Sequence, residues 1–295
     1  MLDYLTDPTL RAIFLPGFIA ACCTVVLCAL LSPVVVVKRL GFVGQGISHC
    51  AFGGVGLSAL LAAMGWFPNA GWGETLVITI FCITAALGMA ALAQRGKTPE
   101  DTSIGIFLVA SMAAGALLVS LAREVARSSG RPVDGRSWES ILFGSVSSAT
   151  WTDAATAAIA VAAIALALFI LRRPLIFYVF DEPAARAFGV RIALVRGALM
   201  VLLAITVVLS MRIAGVVLAS AVLVLPGAIA LRLSAQLSRV IALSIVAGLV
   251  GVVGGFTLAL AADRPIGACV VLVLVAMFLL AAIYSALAPR VSRTG

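Results

Sequence analysis

The residues best equipped for chemistry lie in Gly41-Phe-Val-Gly-Gln-Gly-Ile-Ser-His-Cys-Ala-Phe-Gly-Gly-Val-Gly56. This stretch holds the single histidine of the sequence, His49, near the start of an apolar run that continues through Leu60-Leu61. Gln45 stands four residues earlier, so a helix would place both side chains on one face. Neutral imidazole is a ligand for divalent transition-metal ions, and a glutamine carbonyl adds a further, uncharged oxygen donor. Ser48 and Cys50 flank the histidine as further candidate donors. An imidazole is costly in hydrocarbon and should face protein or a water-filled path. Glycines at 41, 44, 46, 53, 54 and 56 would let other backbones or a small solute approach closely. The competing reading is a core histidine bonded to a carbonyl of a neighbouring helix. The stretch alone leaves both open.

The elements that must position it are membrane helices. Hydrophobic residues make up 63% of the chain and charged residues 11%, which excludes a soluble globular domain. A bilayer crossing takes about 20 apolar residues. Runs of that kind lie at roughly 13–37, 47–64, 75–94, 102–121, 153–171, 192–211, 213–231, 239–260 and 265–287. The expected fold is therefore all-α: a polytopic integral membrane protein with eight or nine transmembrane helices, one permease-like domain over 1–295. No removable signal peptide is expected, because the N-terminus lacks a basic region and a cleavage site.

Charge placement sets an orientation. With the N-terminus outside, the inner loops carry Lys38, Arg39, Arg95, Lys97, Arg172, Arg173, Arg186, Arg191, Arg232, Arg239, Arg290 and Arg293. The outer segments carry Arg11, Arg212 and Arg264, plus the arginines at 123, 127, 131 and 136. The bias predicts an outside N-terminus and an inside C-terminus. The net charge of +8 is thus topology, not a sign of nucleic-acid binding. The six cysteines have no metal-type spacing and read as small apolar fillers.

Local signals refine the picture. Trp66 and Trp72 mark an interfacial turn. Within 122–152, Trp138, Ile141, Leu142 and Phe143 suggest a short amphipathic piece lying on the surface. Gly105 and Gly115, and the Gly251/Gly255 pair, suit close helix contact. Pro226-Gly227 predicts a kink or break. Glu100 and Asp101 read as helix-start charges, and Arg196 as a cation snorkelling to the inner surface. Ala91-Leu-Ala-Gln-Arg-Gly-Lys-Thr98 nearly matches a phosphate-binding loop. It ends a membrane span and precedes Pro99, so the strand–helix setting that motif needs is missing.

The segment Phe180-Asp-Glu-Pro-Ala-Ala-Arg-Ala-Phe-Gly-Val190 reads as a short inner-face helix, with Asp181, Glu182 and Pro183 at its start and Gly189 at its end. Other stretches of note are Ile-Ser-His at 47–49, Glu-Asp-Thr-Ser-Ile-Gly at 100–105 and Leu-Phe-Gly-Ser at 142–145. Further on come Gly-Val-Val-Leu-Ala-Ser-Ala-Val-Leu-Val-Leu-Pro-Gly-Ala at 215–228 and Arg264-Pro-Ile-Gly-Ala268. In this order and spacing the chain resembles, over nearly its whole length, the permease subunits of metal-ion ABC importers, the ABC-3 family of zinc, manganese and iron uptake.

The resemblance implies a multi-pass protein of the cell membrane and a pore built from two permease subunits, the second a copy of this chain or a paralogue. It implies two ABC ATPase subunits that bind ATP-Mg, and an extracytoplasmic metal-binding protein that delivers the ion. This chain would bind no cofactor itself and would be a transport subunit, not an enzyme. Segment 181–190 would be the coupling helix against the ATPase, with Asp181, Glu182, Ala185, Phe188 and Gly189 carried over. In manganese and zinc members an aspartate usually stands four residues before the histidine. Here His49 is kept and that place holds Gln45, so a bound dication would lose one compensating charge.

Three rivals remain. One is an ABC permease for a non-metal solute. A stand-alone secondary carrier would need an inverted repeat and intramembrane acids for ion coupling, and no span interior shows an acid. An intramembrane enzyme would need a nucleophile–base pair or an HExxH-type motif, and one histidine supplies neither.

Overall fold

A computed structural model describes residues 8–66, 71–94, 99–129 and 149–287. The described chain is helical with no strand. Its helices are α1 (Pro8–Val37), α2 (Gly41–Ala63), α3 (Trp72–Gln94), α4 (Glu100–Ser129) and α5 (Trp151–Phe180). The short α6 (Glu182–Ala187) follows, then α7 (Ile192–Leu233), α8 (Leu237–Ala262) and α9 (Ile266–Leu287). All but α6 are long and apolar enough to cross a membrane, which makes 8 candidate spans among the described residues. Residues 138–145, expected to hold an amphipathic piece and one family motif, lie outside the described residues, as do 95–98 of the phosphate-loop lookalike.

The longest helix, α7, has 42 residues. A straight helix of that length would run roughly 60 Å, about twice the hydrocarbon thickness. It folds back instead. Met200 in its first half lines the same small cavity as Val43, and Leu223 in its second half packs against the neighbouring Gly44. Likewise Ser210 meets Cys28 at 3.1 Å, while the Gly227 N–H reaches Ser32, one helical turn further along α1, at 2.8 Å. The reversal is at Gly215, whose φ of 77° and ψ of 167° fall in a region open essentially only to glycine. Two crossings therefore sit in one α-helical assignment, and the runs expected at 192–211 and 213–231 are its two arms.

The backbone does not break at Pro226-Gly227: the only non-helical residue inside α7 is Gly215. Ser32 braces the proline site from α1: its hydroxyl accepts from the Gly227 N–H and donates to the Val224 carbonyl at 3.3 Å. Backbone groups loosened by a proline are thus satisfied by a neighbouring helix, as hydrocarbon requires.

Helices α4 and α5 are longer than the runs assigned to them. Each has 30 residues, roughly 45 Å, so each projects beyond a bilayer core of about 30 Å. The projecting ends carry the exposed charges: Arg123, Glu124 and Arg127 on α4, Arg172 and Arg173 on α5. Thr150 opens α5 with a reciprocal capping box to Asp153.

Close glycine contacts set the packing. A Cβ on Gly56 would come within 2.6 Å of the Gly115 carbonyl, and one on Gly115 equally close to that of Phe52, so α2 and α4 touch backbone to backbone. Gly251 and Gly255 take Leu274 and Val270, seating α9 antiparallel on α8 as the spacing suggested. Gly105 is the exception, with open space around it. Phe18 and Phe256 close the far end of the α1–α8 contact edge-to-face at 5.1 Å.

Gly215→Ala should cost about 1–3 kcal/mol, because any side chain forces the reversal out of its φ/ψ region. The detergent-solubilised protein should unfold at a distinctly lower temperature, while Gly105→Ala, with nothing near its Cβ, should unfold like wild type. Equal midpoints for the two variants would show that the reversal does not depend on glycine.

Candidate functional site

Helix α2 is the most enclosed of the candidate spans, with 67% of its window buried against 17% for α4, although it is also the least hydropathic. Its inward side is formed by Ile47, Ser48, Cys50 and Ala51, each fully buried. The Ser48 hydroxyl donates to the Gly44 carbonyl of its own helix at 2.9 Å, and the Cys50 thiol points to the Phe107 carbonyl at 3.6 Å. Both are turned into the bundle and leave the set of candidate donors.

The other side carries Phe42, 65% exposed, then Gln45, exposed, then His49, half-buried. Spacings of three and four residues put these on one face. The His49 ring stacks on Phe52, with centroids 6.1 Å apart and planes 21° off parallel. Its Nδ1 is buried with no hydrogen-bond partner among the described residues. No carbonyl among the described residues bonds it.

The second arm of α7 flanks this face. Val224 sits 3.4 Å from where a Cβ of Gly41 would be. Val217, 43% exposed, and half-buried Ser220 lie on its open side. Among the described residues no three His, Cys, Asp or Glu side chains converge on one point. The arrangement is an open polar strip with two donors, not a closed metal cage.

The other functional element is at the inner end of the bundle as the charge bias orients it. Asp181 caps α6 by accepting from the Ala184 N–H at 2.9 Å. The helix ends in a Schellman turn: the Gly189 N–H bonds the Arg186 carbonyl and the Val190 N–H that of Ala185, with Gly189 at φ 77°. Phe188 is 77% exposed and touches Phe177, ring to ring at 5.9 Å; Phe180 beside it is 63% exposed. Ala185 is fully buried, so its methyl group packs within the chain and is not offered to a partner.

Glu182 binds Arg186 at 2.9 Å and Lys38 at 3.6 Å, and the Lys38 ammonium lies 4.0 Å above the Tyr178 ring. Arg196 pairs with Glu100 across α7 and α4. Arg196, expected to snorkel to the inner surface, finds an acid there, and Glu100 gains a partner beyond its own helix start. Asp101 remains an exposed first-turn acid. At the opposite end Arg212 donates to the Thr75 hydroxyl beside Glu74, which is only 7% exposed. The sequence placed that acid just outside a span; the helix begins earlier, at Trp72, and takes it in.

Stacked apolar helices around a polar strip, with a short amphipathic helix at one end, define a multi-pass membrane transport component. The model of the ABC 3 transport family matches residues 11–285, and the chain belongs to that family. A probable iron transport system membrane protein of Haemophilus influenzae is 28% identical over 288 residues, 97% of this chain and 98% of that protein. A manganese transport system membrane protein of Halalkalibacterium halodurans is 29% identical over 260 residues, 88% of this chain and 83% of its own length. Among solved structures, a chain of PsaBC from Streptococcus pneumoniae superposes with a TM-score of 0.76 at 25% identity, covering 95% of this chain and 93% of that one. The chain is accordingly a plasma-membrane permease subunit without catalytic chemistry of its own.

The Glu182 carboxyl is held below its ordinary 4.5, first by the Arg186 hydrogen bond and then, against some burial, by Lys38 and the two arginines. A depressed carboxylate stabilises its fold above the ordinary value, and that contribution fades as pH falls through the lower one. A carbon-13 titration of labelled glutamate carboxyls should place Glu182 below 4.5, and Arg186→Ala should move it upward. An unmoved titration would rule out the hydrogen bond as the cause.

Proposed function

We propose that this chain is the membrane-spanning subunit of an ABC importer that carries a divalent transition-metal ion into the cytoplasm. The carrying observation is the Gln45–His49 strip: two donor side chains left open on the most enclosed helix of the bundle. Polar groups at that depth cannot face lipid without penalty. A second permease subunit, the same chain or a paralogue, would cover the strip and line the path with a second set of donors. The iron and manganese names of the relatives support a metal as cargo.

ATP-Mg binds the partner ATPases, one under each permease subunit, and an extracytoplasmic binding protein delivers the ion. The exposed Phe177–Phe180–Phe188 surface and the capped helix at 182–187 form the docking site for the ATPase. Asp181 and Gly189 fix the shape of that helix, and Glu182 ties it to the bundle. Its movement tilts the helices about the path between outward- and inward-open states. A path with one imidazole and one neutral amide from each subunit binds a dication weakly, which favours release.

Uptake of radiolabelled Zn²⁺, Mn²⁺ and Fe²⁺ by cells expressing the complete importer tests this. One ion should enter saturably in an ATP-dependent way, and His49→Ala should abolish the uptake. Gln45→Asp adds a charge beside the ion and should lower the half-saturation concentration roughly tenfold while slowing turnover. Uptake of none of the three by an assembled complex would refute a metal cargo and leave a non-metal solute.

A further inference from the structure

Two ion pairs flank the short helix α6, and both lead to α2. On one side Glu182 reaches Lys38, which belongs to the Lys38–Leu40 turn joining α1 to α2. Arg39 in that turn has a left-handed φ of 57°, and Leu40 is the residue from which α2 starts. Lys38 also caps the Tyr178 ring at the end of α5. A displacement of α6 therefore acts on the first turn of the helix that carries Gln45 and His49.

On the other side α6 runs through Gly189 and Val190 into α7, and Arg196 stands about one turn inside that helix. Its guanidinium pairs with Glu100, the first residue of α4. Helix α4 is seated along α2 by contacts in which a side chain or backbone atom takes the place of a glycine Cβ: Ile104 at Gly46, the Ser111 carbonyl at Gly53, Gly115 at Gly56. The Arg196–Glu100 pair borders a small cavity lined by Val43, Met89 and Met200, and Arg196 Nε is buried without a partner among the described residues.

Resting on the importer reading, we propose that Lys38–Glu182 and Arg196–Glu100 form a two-sided clasp. It transmits the movement of the ATPase-docked helix to α2, at its first turn and along its length. Lys38 and Arg196 are positioning residues, since neither lies on the open strip. Both pairs are at least partly exposed, with side-chain exposures of 19% and 36% for the first and 21% and 50% for the second. Pairs of that exposure add little to stability, so their removal should change coupling more than folding.

The test uses the full complex of permease, ATPase and binding protein in proteoliposomes, reading ions imported per ATP hydrolysed. It also reads the stimulation of ATP hydrolysis by the binding protein, which does not depend on knowing the ion. Lys38→Glu and Arg196→Glu should each lower both readouts about fivefold or more while basal hydrolysis persists. The swaps Lys38→Glu with Glu182→Lys, and Arg196→Glu with Glu100→Arg, should recover most of the loss. Where a reversal prevents assembly, Lys38→Gln or Arg196→Gln takes its place. Unchanged coupling in the single variants overturns the clasp, as does a loss that the swaps leave unrepaired. A wild-type complex whose hydrolysis responds to its binding protein, yet which imports none of the three ions, refutes the metal reading and still decides the clasp.

Discussion

The structure depends on one physical compromise: a helix with polar side chains is held in the middle of a membrane bundle. In hydrocarbon there is little hydrophobic gain in bringing helices together, so association relies on close packing and on hydrogen bonds. Helix α2 meets the first need with glycine. Gly46, Gly53, Gly54 and Gly56 each sit where a Cβ would collide with a neighbour, among them the backbones of Ile78 and Gly115. That close approach on three sides leaves one side open, and the open side carries Gln45 and His49. Exposure of these two residues follows from where the glycines are.

The second need, satisfied backbone groups, explains the unusual features of α7. A chain that turns back between two membrane crossings exposes carbonyls and N–H groups unless something pairs them. The turn at Gly215 takes a single non-helical residue, the least irregular backbone that reverses direction. Ser32 and Ser210 then bridge the two arms to α1, through Gly227 and Cys28 respectively. The Ser244 hydroxyl, which donates to the Ala29 carbonyl at 2.9 Å, ties α8 to the same helix. Helix α1 is in this sense the spine to which both arms and α8 are stitched by small hydroxyl groups.

Much of this was legible in the sequence, for reasons that differ by residue. The spans are written in run length and hydropathy, and the capping helix in the fixed positions of Asp181, Pro183 and Gly189. The Gln45–His49 face follows from helical spacing. What escaped was pairing between distant segments. The partner of Arg196 was not readable because Glu100 is 96 positions away in the chain, and nothing in either neighbourhood names the other. Gly215 was one glycine among 27, less conspicuous than Pro226, yet the reversal needs a positive φ that proline cannot adopt. Ser48 and Cys50 stood as further candidate donors beside His49 until the helix had a buried side.

The inner end of the bundle shows how weak forces can serve a moving machine. An exposed ion pair such as Lys38–Glu182 contributes about 0–1 kcal/mol, and Tyr178 adds a comparable cation–π contact for the lysine. Neither would hold a static fold against much load. A transporter that alternates between two states requires contacts cheap enough to shift in each cycle but specific enough to keep its parts in register. Strong, rigid contact is kept for the glycine-packed centre, and adjustable contact is placed at the short helix α6. On the importer reading proposed above, force applied at Phe188 would reach His49 through elements that tilt as bodies, without the membrane core having to unpack.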